Sequence, residues 1–245
     1  MRPLPHGGAE TRRDGRLSYK LRALPLCLCV LASLTLALLT SAAQGPRAVT
    51  WKFDNLKKVG GTAVSVIGNP QVVKAPKGKA VQFDGAHDGL LLEVNPVAGA
   101  RAFTVEAVIR PDAGGLEEQR WMHIQGSSAD TRVMLETRLR GGEWFLDTFI
   151  KNGPRAEDGR TLFDENFKHP AGAWYHIALV YDGAVMRNYV DGREELSGPL
   201  VVAPLDAGRT SVGVRQNRVY WFKGAIRLAR FTPRALTPRE FMAKD

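Results

Sequence analysis

The sequence predicts an all-β protein built from short antiparallel strands packed as a sandwich or barrel. Three observations carry this. Short runs rich in β-branched and aromatic residues recur along the chain, bounded by turn residues and without amphipathic helical stretches between them. The chain of 245 residues holds 25 glycines and 14 prolines, a supply of turn formers suited to many short strands. Two consecutive period-2 apolar runs, Ala173 to Tyr181 and Val185 to Val190, each end in Asp-Gly, the signature of tight antiparallel connections.

Residues 1–43 stand apart from this fold. Six basic residues (Arg2, Arg12, Arg13, Arg16, Lys20 and Arg22) face only Glu10 and Asp14, and an uncharged apolar run over residues 23–40 leads to Ser41-Ala42-Ala43. Basic, apolar and small-residue regions in that order read as a secretory signal cut after Ala43. The alternative is a retained membrane anchor, for which the run has the minimum spanning length. A single domain is expected over residues 48–245, secreted or periplasmic, with membrane contact only through an uncleaved N-terminal segment.

That division changes two global properties. Both cysteines, Cys27 and Cys29, fall in the N-terminal segment, so the domain has no disulfide and no thiolate for metal binding or nucleophilic attack. Six of the 34 basic and two of the 25 acidic residues also fall there, leaving 28 against 23, a formal +5 rather than +9. Nearly half of the overall charge, four of the nine, therefore belongs to the export segment, and no nucleic-acid partner is expected.

The strands follow in order. Val49-Trp51-Phe53 opens the domain, then Ala80 to Phe83 closed by Asp84-Gly85, Gly89 to Val94, and Phe103 to Arg110 stopped by Pro111. Trp121 to Gln125 precedes a hairpin of Arg132 to Arg140 and Glu143 to Lys151 around Gly141-Gly142. The two Asp-Gly strands come next, then Thr210 to Val214 and Ile226 to Phe231. Thr237-Pro238-Arg239-Glu240 is a helix start, with Pro238 in the first turn and Glu240 reaching back as in a capping box, so a short C-terminal helix is expected.

Several of these segments resemble, in order, motifs of laminin-G-like domains. Gly78-Lys79-Ala80-Val81-Gln82-Phe83-Asp84-Gly85 is similar to the family's G-x-A-x-x-F-D-G strand. Phe103 to Pro111 is similar to its F-T-[VI]-[ES]-[AF]-W-[VI]-[KR]-P strand, with Val108 where a Trp is usual. Trp174 to Gly183 and Tyr189 to Gly192 resemble W-x-H-[VI]-A-x-x-[YF]-D-G and Y-V-D-G. Phe222 to Arg227 and Arg234 to Pro238 resemble the closing segment, with Arg227 in place of an Asp. The resemblance implies a two-sheet antiparallel jelly roll of the concanavalin A-like lectin/glucanase type. It implies a binding role, toward a glycan or an extracellular protein ligand. A rim calcium, common among such domains, is carried by the resemblance too. Asp84, Asp88, Asp182 and Asp191 are its candidates, although Asp at an Asp-Gly turn is explained by the turn itself.

Strand alternation supplies the candidate ligand contacts. Val133, Leu135, Thr137 and Leu139 share one face and Met134, Glu136, Arg138 and Arg140 the other. His123 shares a face with Trp121 and Gln125, and Asp147 with Phe145 and Phe149. His176 opposes Ile177 and Leu179, while Arg187, Tyr189 and Asp191 face together. His123, Glu136, Arg138, Asp147, His176, Arg187 and Tyr189 are thus expected to converge on one polar groove. The alternative for each is a solvated or hydrogen-bonded sheet position. Trp144, beside the Gly-Gly turn, offers a plane for stacking on a pyranose, with core packing beside Leu146 as the alternative.

Catalysis is not favoured. The E-x-D-x-x-E carboxylate pattern of the glucanase relatives is absent, and adjacent acidic pairs such as Glu117-Glu118 and Glu194-Glu195 fall in apparent loops. Arg132-x-x-x-Glu136-x-Arg138 and His123-Ile124-Gln125 faintly resemble alginate-lyase motifs, in the wrong order. The sequence therefore points first to carbohydrate binding, then to a protein-interaction or structural module, and last to a polysaccharide-active enzyme.

Overall fold

The computed structural model describes residues 47–244. The signal or anchor expected over residues 1–43 lies outside the described residues. The first strands are β1 (Val49–Lys52), β2 (Lys58–Val59), β3 (Thr62–Ala63), β4 (Ser65–Ile67), β5 (Gln71–Lys74), β6 (Lys79–Asp84) and β7 (Gly89–Leu92). Four longer strands follow: β8 (Phe103–Pro111), β9 (Glu118–Gln125), β10 (Thr131–Arg140) and β11 (Glu143–Asn152). The rest are β12 (Gly159–Phe163), β13 (His169–Pro170), β14 (Tyr175–Tyr181), β15 (Val185–Val190), β16 (Arg193–Pro199), β17 (Arg209–Val212) and β18 (Lys223–Thr232).

The strands form two large antiparallel sheets. The first runs β16-β15-β14-β8-β18-β6-β5, with β1 added on β18; the second runs β12-β11-β10-β9-β17-β7-β4, with β13 added on β11. β6 and β8 lie in the first sheet while β7 and β9 lie in the second, so the chain crosses repeatedly between layers, as a jelly roll requires. The hairpin turns use the residues the sequence offers. Gly141 and Gly142 take φ of +58° and +84°, and Asp191 and Gly192 take +47° and +79°, the double positive φ that matches strand twist.

One continuous core fills the space between the sheets. Phe103, Val105, Ala107 and Ile109 of β8, with Ile177 and Leu179 of β14, meet Val133 and Leu135 of β10 and Leu146 and Ile150 of β11. Period-2 alternation then sends Glu106 and His176 to the outer face of the first sheet, and Glu136, Arg138 and Asp147 to the outer face of the second.

Two local features differ from expectation. β9 and β10 slip register beside Leu135 and Glu136, which pair with Met122 and Arg120, leaving Trp121 as the extra residue of a bulge. Trp121 and Met122 both enter the core, so Trp121 does not share a face with His123. At the C-terminus the expected helix is a single 3-10 turn, Pro238–Glu240. Glu240 does reach back, accepting from the Thr237 amide at 2.9 Å. Phe241 then turns extended (φ −63°, ψ 151°) and packs on the outer face of the first sheet beside Ala178, Val180 and Tyr189. That covering explains why every residue of β14 is buried.

Candidate functional site

Four neighbouring strands build a polar pocket on the outer face of the second sheet. β9 contributes Arg120, β10 contributes Arg132, Met134, Glu136 and Arg138, β11 contributes Asp147 and Phe149, and β12 contributes Thr161. Arg215, just beyond β17, closes one side, and the cavity measures about 270 Å³. Glu136 and Asp147 sit directly opposite each other across the β10–β11 pairing. Their residues are 2% and 1% exposed.

An alternating ladder of charge holds these groups. Glu118 at the start of β9 accepts from Arg120 at 2.8 Å and from Arg138 at 2.6 Å. Arg138 Nε also donates to Asp147 Oδ2 at 2.7 Å. Arg120 Nε lies 2.9 Å from Glu136 Oε2, yet its N–H does not point at that oxygen and has no hydrogen-bond partner. Aromatic rings flank the guanidinium groups: Tyr220 at 3.9 Å from Arg120, Phe149 at 5.0 Å from Arg132, and Phe163 at 5.2 Å from Arg138. Stacking of this kind orients the planar cation while leaving its N–H edge available.

Burial decides the protonation of the carboxyl pair. It pushes Glu136 up to about 8, helped by the like charge of Asp147 and opposed by Arg120 and Arg138. Burial raises Asp147 as well, against the pull of Arg138. Glu118, nearer solvent, is held below its ordinary value, chiefly by the hydrogen bond from Arg120. Two carboxyl groups facing each other in low dielectric favour the protonated form of at least one of them. Asp147 Oδ1 is buried with no partner.

His123 lies on the same outer face but behind the pocket wall, 2% exposed. Its Nδ1 accepts from the Gln216 amide at 3.2 Å, and Gln216 Nε2 donates to the His123 and Arg209 carbonyls at 3.4 and 3.1 Å. Burial, followed by the fields of Arg215, Arg132, Arg120 and Arg209, lowers its imidazole to about 3. A neutral ring keeps Nδ1 an acceptor. His123 thereby fastens the segment that carries Arg215.

The remaining candidates lie elsewhere. Trp144 is fully buried in the core, its ring centroid 4.8 Å from His169 and 5.1 Å from Tyr175, so it offers no plane to a sugar. His176, Arg187 and Tyr189 belong to the first sheet, so the single groove expected from alternation is divided between two sheets. His176 Nε2 is 3.1 Å from Glu106 Oε1 and its ring packs against Phe241. Arg187 donates to Asp182 at 2.6 Å. Tyr189 donates to Glu194 at 2.7 Å, and burial with that bond pushes its phenol up to about 12.

The matched part of the chain decides its kinship. A profile of laminin-G type, described as the concanavalin A-like lectin/glucanases superfamily, fits residues 84–241. The chain belongs to that superfamily. No curated protein matches it in sequence. Among solved structures, this superfamily member resembles domain 4 of AbnA, a GH43 extracellular arabinanase from Geobacillus stearothermophilus in complex with arabinotriose. The identity is 19%, the TM-score 0.59, and the match covers 79% of this chain and 96% of that one. It also resembles the binding domain of Paraclostridial Mosquitocidal Protein 1 (16% identity, TM-score 0.58, 79% of this chain and 50% of that one). A third is the binding domain of botulinum neurotoxin DC in complex with SialylT (10% identity, TM-score 0.56, 80% and 50%). The chain spans about half the length of the two toxin domains.

The concanavalin A-like resemblance carried calcium, and the four candidate aspartates do not fit it. Asp84 Oδ1 accepts from the amides of Ala86, His87 and Asp88, and Asp88 from those of Asn69 and Asp84. Asp182 accepts from two amides and Arg187, and Asp191 from the His176 amide and Lys244. Their oxygens are committed to donors that a cation would have to displace. No group of three His, Cys, Asp or Glu side chains suited to a metal occurs among the described residues.

Sequence reasoning missed Arg120 and Arg215, and noted Arg132 only within a lyase-like motif, not as a ligand contact. Arg132 follows the alternation that gave Glu136 and Arg138, and continuing that count one step would have found it. Arg120 is hidden by the bulge at Trp121, and Arg215 by its place in a loop, where alternation has no force.

Proposed function

We propose that this superfamily member is a glycan-binding module that works outside the cytoplasm and binds without cleaving. The observation that carries the reading is the pocket on the outer face of the second sheet. It has room for about one sugar ring and is lined by oriented guanidinium edges, the Glu136 and Asp147 carboxyl groups and the Phe149 ring. Such donor and acceptor mixtures beside an aromatic surface suit hydroxyl-rich ligands. Support for binding over cleavage comes from the carboxyl pair itself. Both groups lie almost wholly buried behind arginines, whereas a glycosidase needs them against the scissile bond. The N-terminal basic, apolar and small-residue order supports export.

A glycan array followed by calorimetry tests this. Binding of a glycan, weakened by Arg138→Ala in a protein that still melts cooperatively, is the expected result. No glycan bound, or binding indifferent to Arg138→Ala, would remove the pocket from the reading. New reducing ends or unsaturated ends after incubation with polysaccharide would show that it cleaves.

A further inference from the structure

The pocket carries more cation than its own carboxylates can neutralise. Arg120, Arg132, Arg138 and Arg215 line it, against Glu136 and Asp147 within it and Glu118 at its edge. With all three acids ionised, one positive charge is left over. The ion pairs are also unevenly shared. Arg120 and Arg138 take every carboxylate, and Arg132 and Arg215 form no salt bridge among the described residues.

The free cations are nevertheless held in place. Arg132 packs over Phe149 and one of its terminal nitrogens donates to the Ala129 carbonyl, while its Nε is buried without a partner. Arg215 is carried by the segment that Gln216 pins to His123 and Arg209. Ordered guanidinium groups with no carboxylate in contact, although Asp130 and Glu136 lie within the field of Arg132, form at the mouth of a cavity a receptor for a planar or tetrahedral oxyanion. Two further facts agree. Arg120, 8% exposed, holds its Nε 2.9 Å from Glu136 Oε2 without a well-aligned hydrogen bond. The fields of the surrounding arginines add to the burial that keeps His123 neutral, and the proton held by Glu136 near neutral pH widens the positive excess.

Resting on the glycan reading above, we propose that the pocket selects an acidic sugar residue, with its carboxylate or sulfate group received by Arg132 and Arg215. Arg120 and Arg138, tied to the buried acids, then face the ring hydroxyls.

The test is binding of the purified protein to an array of uronate, sialate and sulfated glycans beside their neutral parents. Calorimetry on polygalacturonate, carboxyl-reduced polygalacturonate and a sulfated galactan, in about 0.15 M salt, follows. The expected result is at least tenfold tighter binding of an acidic glycan than of its neutral parent. Arg132→Met and Arg215→Met should each weaken that binding about tenfold with an unchanged melting temperature. Lys77→Met and Lys79→Met, on the first sheet's side, should leave it intact. Preference for the uronate or sialate arm assigns a carboxylate, and preference for the sulfated arm a sulfate ester. Equal binding of acidic and neutral partners overturns the inference and leaves the glycan reading standing. Failure of every glycan to bind overturns both. Equal loss in the lysine and arginine variants would mean diffuse charge attraction and overturns the inference as well.

Discussion

Replacing Glu106 by Gln is expected to loosen the C-terminal segment and destabilise the whole domain. Glu106 sits mid-strand in β8, 0% exposed, between β14 and β18. Its carboxylate accepts from Arg230 Nε at 2.6 Å and from the Met242 amide at 2.7 Å, and lies 3.1 Å from His176 Nε2. Burial alone would raise its pKa, but the bonds from His176, Arg230 and Met242 outweigh it and hold the carboxyl below its ordinary value. Removing one partner of a buried pair costs about 3–5 kcal/mol. Arg230 reaches solvent, with its side chain 25% exposed, so the lower end, about 3 kcal/mol, applies. For a domain of this size that is a fall in Tm of about 6–12 °C. The pH dependence has a definite sign. A carboxyl depressed in the folded state adds stability above its unfolded pKa of about 4.5 and loses it as pH falls through the lower folded value. Calorimetry at neutral pH and hydrogen exchange along residues 236–244 measure both effects. A Tm within about 2 °C of the parent, or unchanged protection at Met242, would refute the clamp.

Other outcomes follow from the same geometry. Glu136 is raised to about 8 in the folded protein, so the folded state keeps a proton that the unfolded chain releases above about 4.5, and stability should fall across that window as pH rises. Glu136→Gln should flatten the slope of Tm between those values, and an equally steep slope in the variant would place its origin elsewhere. The His123 ring should show no NMR titration near 6.5, since its imidazole is lowered to about 3; a midpoint near 6.5 would contradict its burial among arginines. Trp144→Ala should cost about 3–5 kcal/mol in urea unfolding while leaving glycan affinity unchanged below the transition. A selective loss of affinity would return Trp144 to the site. Chelator should leave Tm unmoved, because the turn aspartates already accept from amides, and a clear fall would reveal an ion.

Much of this fold was legible because its long strands obey local rules. Phe103 to Pro111, Thr131 to Arg140 and Tyr175 to Tyr181 carry alternation and turn residues on the chain itself. The short edge strands β2 to β5, β12 and β13 have too few residues to show a period, and β16 is charged at Arg193, Glu194 and Glu195. Their strand state comes from pairing, with an adjacent strand for β2, β3, β5, β12 and β16 and with a more distant one for β4 and β13. Sites divide the same way. Alternation put Glu136, Arg138 and Asp147 on faces that do meet, and the parity of Trp144 with Leu146, Thr148 and Ile150 already pointed inward. Which sheet His176 faces away from depends on strand order, which no local pattern encodes. The bulge at Trp121 is likewise a property of the pair β9–β10.

The two sheets use one device to opposite ends. Each central strand buries an acid on its outward side, Glu106 in β8 and Glu136 in β10, against an arginine of the neighbouring strand, Arg230 or Arg120. Burying such charges is costly unless something completes their hydrogen bonds. On the first sheet the chain completes them itself, with the Met242 amide on Glu106 and Phe241 laid over His176 and Tyr189. On the second sheet the same cost is left partly unmet: Asp147 Oδ1 is buried without a partner, and Arg120 Nε meets Glu136 at 2.9 Å without an aligned hydrogen bond. A protein that can close such a face with its own C-terminal segment, and does so on only one side, keeps the other side receptive. The physical argument for a ligand at the second sheet is therefore strongest when read against the first, where the occupant is visible.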